Sequence, residues 1–206
     1  MGIPVLVLGD SGSGKSSSLR NFNEAEVGIF NVASKPLPFK KKLKVSNNAT
    51  YGMIIKTLEA ANLKRYVIDD SQYLMAFAMF DRAKETGYGK FTDCAVDFRN
   101  LIHFINTKIP DDIIVYFLHH TEQTDTGKIK AKTSGKMLDS QLTVEGLFSI
   151  VMMAKTDGTR YYFETQSDGQ TTCKSPMDMF EKEIDNDLKF VDTTIRGYWE
   201  INNIGE

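Results

Sequence analysis

The chain has 206 residues, 25% of them charged, 41% hydrophobic, with a formal net charge of −2. That length suits one domain with a sizeable core and a small appendage, and the near-neutral balance argues against a wholesale polybasic nucleic-acid binder while leaving room for a local basic groove. Cys94 and Cys173 lie far apart without partner spacing, which speaks against a disulfide framework or zinc site and fits a reducing cytoplasm; no signal peptide opens the chain, and no apolar run approaches the roughly 18 residues of a membrane span.

In chain order, Ile3–Leu8 reads as a buried strand. It runs into Gly9-Asp10-Ser11-Gly12-Ser13-Gly14-Lys15-Ser16, which fits G-x-x-x-x-G-K-[ST], the phosphate-binding loop of nucleotide hydrolases. Ser17 to Phe22 is expected to open a helix. Glycines let the backbone wrap a phosphate, and the loop amides with the helix start supply positive potential. Lys15 would reach the β- and γ-phosphates of ATP, and the Ser16 hydroxyl would ligate Mg²⁺; Gly9 through Ser17 form the nucleotide-binding set.

Val27–Val32 is a second strand, followed by a break at Lys35-Pro-Leu-Pro38. Tyr51, Ile54, Ile55 and Leu58 follow helical spacing. Arg65–Asp69 is a third strand and Ser71–Lys84 a strongly apolar helix. Phe98, Leu101, Ile102 and Ile105 mark a helix ended by Pro110. Residues 112–118 form a fourth strand, uniformly apolar after its first residue as a central parallel strand should be. Thr121–Gln141 is a long, polar, lysine-bearing loop, too long for an ordinary connection. Phe148–Lys155 and Arg160–Thr165 read as a hairpin. Ser175-Pro176 resembles a helix start, and Leu188, Val191 and Ile195 form a short terminal helix. Strands alternating with helices imply an α/β fold: a mostly parallel sheet with helices on both faces, a C-terminal β-hairpin and a short helix. The expected division is a core over 1–175 and a helical tail over 176–206.

Asp69 ends the third strand, where a phosphate-loop protein holds Mg²⁺, so it is the metal candidate beside Ser16. Asp70 is the candidate for polarising an attacking water; the alternative is that either acid caps the following helix. His119 is favoured over His120 as a γ-phosphate sensor, since side chains alternate along a strand; the alternative is a capping or surface histidine. Lys128, Lys130, Lys132 and Lys136 suit backbone contacts to nucleic acid, as does the cluster Lys35, Lys40–Lys42 and Lys44; a solvated surface is the other reading. Lys174 is the candidate for a cationic finger reaching a neighbouring subunit, or plain surface.

The segments GIPVLVLGDSGSGKSSSLRNF, NVASKPLPFKKK, YVIDDSQYL and NDLKFVDTTIRGYW together resemble the phage AAA/RecA-like ATPases of the Sak type, over nearly the whole chain. The resemblance implies a RecA-like P-loop NTPase core, ATP with Mg²⁺, single-stranded DNA, assembly as a filament or ring, and a single-strand-binding protein as partner. It implies Lys15 and Ser16 as the Walker A pair, Asp69 as Walker B and His119 as the polar sensor. One departure stands out: the second strand runs into Ala33-Ser34-Lys35, where RecA itself places a catalytic glutamate. The competing readings are a small nucleotide or nucleoside kinase, with no arginine-rich lid to support it, and a nucleotide-gated assembly module with negligible turnover.

Overall fold

The computed structural model describes residues 1–87, 89–134 and 142–201. Strand β1 (Ile3–Leu8) is central, parallel to β5 (Ile114–His119) on one side and β8 (Ile150–Thr156) on the other. Beyond β5 come β4 (Arg65–Asp69), β2 (Gly28–Asn31) and the edge strand β3 (Lys44–Asn47), all parallel. On the other flank β9 (Tyr161–Glu164) and β10 (Glu183–Asp185) continue antiparallel. The order is β10-β9-β8-β1-β5-β4-β2-β3. A parallel sheet must be covered on both faces, and here it is. Leu6 and Leu8 join the core beneath α1 (Tyr51–Ala60), α2 (Gln72–Asp81) and α3 (Gly89–Lys108). Val5 and Val7 join the opposite core, under Leu19 and Phe22 and under α4 (Leu188–Tyr198).

Local chemistry accounts for the helices. Thr50 caps α1 by accepting from Met53 N, and Ala61 closes it in the left-handed conformation. In α3, Cys94, Ala95, Phe98, Leu101, Ile102 and Ile105 form the buried stripe. Asp187 caps α4 through Lys189 N and Phe190 N, and Leu188, Val191 and Ile195 go inward. Each such side chain contributes about 1.5–3 kcal/mol by leaving water. Among the described residues no helix is long and apolar enough to cross a membrane.

Four expectations change. Residues Ser16–Asn21 make a single 3-10 segment rather than an α-helix. Ser18 Oγ bonds Lys15 O, competing with the helical ladder, and the chain turns extended at buried Phe22. Thr121–Gln123 (β6) and Ile129–Ala131 (β7) form a hairpin of their own within the expected loop. Ser175-Pro176 leads into a turn with Asp178 at φ 58 instead of a helix. Strands β3 and β10 are additional, so residues 183–185 extend the same sheet as the core.

At the amino ends of the strands, one carboxylate ties α4 to the sheet. Asp192, 1% exposed, accepts from Arg65 Nε (2.5 Å), Arg196 Nε (2.8 Å) and the Tyr116 hydroxyl (3.0 Å). Arg196 also donates to the carbonyls of Asp112 and Lys64. Removing one member of a buried ion network leaves the others uncompensated. Asp192→Ala is expected to lower the unfolding free energy by about 3–5 kcal/mol in urea titrations; a loss under about 1 kcal/mol would show that water replaces the carboxylate at little cost.

Candidate functional site

Gly9–Ser17 bends around the carboxyl end of β1. Ser11, Gly12, Gly14, Lys15, Ser16 and Ser17 line an open cleft of about 370 Å³ with Lys35, Pro36, Pro38, Asp69, Asp70, His120 and Tyr161. Two glycines are required by contact. Gly14 sits at φ 92, and a Cβ there would meet the Tyr161 ring at 2.7 Å; a Cβ on Gly9 would lie 2.9 Å from Ala154 O. Gly9, Asp10 and Ser13 do not line the cleft but brace the loop: Lys15 Nζ donates to Gly9 O (2.7 Å) and Asp10 O (2.9 Å), and Ser13 N donates to Asp10 O (3.2 Å). Burial pushes the Lys15 ammonium down to about 8, against the pull of Asp70, Asp69 and Asp10. With one 3-10 segment behind the loop, its amides and Lys15 supply most of the anion attraction, because a helix dipole needs aligned turns.

Ser16 Oγ donates to Asp69 Oδ1 at 2.8 Å, although β5 lies between their strands. Asp69 is 5% exposed, and burial raises its carboxyl above the ordinary range despite the Ser16 hydrogen bond. A buried carboxylate whose charge is disfavoured, beside a hydroxyl on a phosphate loop, fits a divalent cation shared with phosphate oxygens. Mg²⁺ held by one or two protein groups needs no larger cluster, and none of three or more His, Cys, Asp or Glu occurs among the described residues.

Asp70 sits in the left-handed region at φ 59, and its carboxylate does not cap α2. Oδ2 lies 2.6 Å from Lys35 Nζ, and Oδ1 accepts from His120 Nε2 at 3.0 Å. Burial pushes its carboxyl up, but the hydrogen bonds from His120 and Lys35 outweigh it and the group lies below its ordinary value. The Asp70 hydrogen bond raises Lys35 correspondingly.

His119, the residue expected to face the cleft, does not line it. His119 is fully buried: Nε2 bonds Lys132 O at 2.8 Å, Nδ1 meets Ser71 Oγ at 2.8 Å, and the ring packs on Phe98. Its neighbour His120, past the end of β5, reaches the cleft, because strand alternation stops where the strand stops. Lys35 and Tyr161 also belong to the cleft wall; the sequence offered Lys35 only as a nucleic-acid contact and did not point to Tyr161. For Lys35 the signal was its place after the second strand; for half-exposed Tyr161 nothing local gave it away.

The hairpin β6–β7 is fastened to this site. Thr121 Oγ1 donates to Asp10 Oδ1, Lys132 N to His120 O (2.9 Å), and His119 holds Lys132 O. Lys128 and Lys132 are exposed, whereas Lys130 pairs with Glu122 at 3.0 Å. Lys136 lies outside the described residues. Lys174 is bridged through its backbone to Val151, near the start of β8, and is not on the cleft wall. A larger groove of about 640 Å³ between Gln166 and Phe190 carries Asp178 and Glu181 as its charged residues, a poor setting for a polyphosphate.

His119 gives a pH signature. A carbonyl only accepts, so Nε2 carries a proton; burial lowers the ring's value from 6.5 to about 4, which leaves it neutral near pH 7. Below 6.5 the unfolded chain takes a proton that the folded chain refuses, so this group's stabilisation is complete above 6.5 and is lost as pH falls toward 4. The expected loss is up to about 3 kcal/mol, read as a steeper pH dependence of unfolding free energy in wild type than in His119→Asn; parallel curves would refute it.

Compared with known proteins, the chain matches no family model and none of the curated proteins.

Proposed function

We propose that this chain is a Mg²⁺-dependent ATP-binding and hydrolysing protein with a RecA-like P-loop core, acting on single-stranded DNA as the resemblance to the Sak-type phage ATPases implies. The observation that carries the reading is the meeting of Lys15, Ser16, Asp69 and Asp70 in one cleft, with Ser16 Oγ 2.8 Å from Asp69 across an intervening strand. The sheet order is compatible with a RecA-like core. Support for the DNA role is the hairpin with exposed Lys128 and Lys132, tied to the phosphate loop through Thr121 and Asp10. The same segment carries Glu122 and Asp125, and Glu122 pairs with Lys130, so the contact would be local. Assembly as a filament or ring, with Lys174 offered to a neighbour and a single-strand-binding protein as partner, belongs to the same reading.

In the reaction, water attacks the terminal phosphorus, the bond to the bridging oxygen breaks, and ADP, phosphate and a proton leave. Lys15 exchanges the Gly9 and Asp10 carbonyls for phosphate oxygens and stabilises their charge. Ser16 and Asp69 would hold Mg²⁺, which when bound neutralises charge on the β- and γ-phosphates. Asp70 orients the water. Paired with the Lys35 ammonium and accepting from His120, it is a weak base, and this observation favours the second reading, a nucleotide-gated assembly module of slow turnover.

The test is phosphate release from ATP with and without single-stranded DNA. DNA-stimulated release that falls at least about 100-fold in Lys15→Ala is expected, given what removing a charge-stabilising group costs. Release indifferent to DNA would shift weight to the kinase, checked with nucleoside acceptors; ATP bound without release would leave the assembly module.

A further inference from the structure

We propose that Lys35 recognises the terminal phosphate of a nucleoside triphosphate within the same chain, leaving Asp70 to do so. The proposal rests on the nucleotide reading of the cleft. It assigns a role to the residue standing where RecA itself would place a catalytic acid.

The backbone of Lys35 is held, while its side chain is exposed and paired only at its tip, with Asp70. Asn31, 2% exposed at the end of β2, donates from Nδ2 to Lys35 O (2.6 Å) and to Asn47 Oδ1 (3.1 Å). Ser34 adopts φ 55, and its hydroxyl bonds both the backbone and side chain of Asn48. Pro36 follows and restricts Lys35 to extended conformations. The root of the arm is therefore fixed on the cleft wall that also carries Lys15 and Ser16.

The arm itself is 61% exposed, with its ammonium 2.6 Å from Asp70 Oδ2 and 5.8 Å from the centre of the Tyr73 ring. A pair so open to water contributes little net stability, so giving it up costs little. Asp70, buried to 7% exposure, is the partner that would suffer from being left alone. His120 prevents this: its Nε2 on Oδ1 remains when Lys35 departs. Tyr73 packs edge-on against the His120 ring and holds it there. Two donors on one carboxylate, one braced and one exposed, form an arrangement in which a more highly charged anion can take the exposed one. The terminal phosphate of ATP is such an anion; ADP ends before that position. Lys35 is thus a specificity residue for triphosphate over diphosphate, while Lys15 serves both.

The experiment is calorimetric titration with Mg-ATP and Mg-ADP of the full chain, wild type, Lys35→Gln, Asp70→Asn and Lys15→Ala. Because the Lys35 side chain is exposed, Lys35→Gln folds normally, and circular dichroism checks it. Lys35→Gln is expected to weaken ATP about tenfold or more and to leave ADP within about twofold, the size of one charged hydrogen bond. Asp70→Asn removes the competitor and is expected to raise the ATP-to-ADP preference. An unchanged preference in Lys35→Gln, with wild type binding both nucleotides and Lys15→Ala weakening both, overturns the role of Lys35 alone. Wild type binding neither nucleotide overturns the reading of the cleft, and this assignment with it.

Discussion

Parallel strands deliver their carboxyl ends to one rim of the sheet, and every charged group of the cleft hangs from that rim. The loops after β1, β2, β4 and β5 supply Lys15 and Ser16, Lys35, Asp69 and Asp70, and His120. Strand spacing is about 4.8 Å, so β4 stands roughly 10 Å from β1 with β5 between them. The phosphate loop spans that gap by leaning across the end of β5, and the Ser16–Asp69 hydrogen bond is the closure. A shift of one strand in the order would separate hydroxyl from carboxylate by another strand width and dissolve the site, with every residue still present.

Within that frame the charges are arranged unevenly. Asp69 is sealed and touches a neutral hydroxyl, which leaves its negative charge uncompensated at contact distance. Asp70, one residue on, is turned by its left-handed backbone toward Lys35 and His120. That conformation costs about 1–2 kcal/mol for a residue with a Cβ, and two hydrogen bonds to cationic or polarised donors more than offset it. Adjacent identical residues thereby acquire opposite tendencies: one carboxyl raised, the other lowered. The division of labour between them follows from direction, not from residue type.

Much of the frame was legible in the sequence because its signals are local. The phosphate loop, the acid pair at the end of an apolar strand, and the α/β alternation all read from spacing, and Arg65–Asp69 has the bounds expected of it. The α3 stripe and the Asp187-capped α4 follow the same logic. What escaped depends on long-range geometry. Lys35 was counted with a basic run, since nothing near it in sequence indicates that Asp70 will lie opposite. Alternation favoured one histidine of a pair and the structure turns the other to the cleft, because β5 ends at His119. The 121–141 segment was read as a loop because β6 and β7 have three residues each, too few for a periodicity to emerge. Tyr161 meets Gly14 only once β9 has crossed back beside β8.

The two rims along the strand direction have their own chemistry. Among the described residues β3 leaves one margin of the sheet unpaired, preceded by Lys40, Lys41 and Lys42 and beginning at Lys44. β10 leaves the other, with Glu183 and Asp185 facing outward. An open margin invites a foreign strand to dock, and charged side chains along it are a common deterrent. Here the deterrent differs in sign from end to end. Two copies approaching by the same margin meet like charge, so haphazard stacking of sheets into fibres is penalised at both ends, and the molecule keeps a polarity across its width. In a chain of nearly zero net charge, resistance to such edge pairing would thus come from where the charges sit, not from their sum.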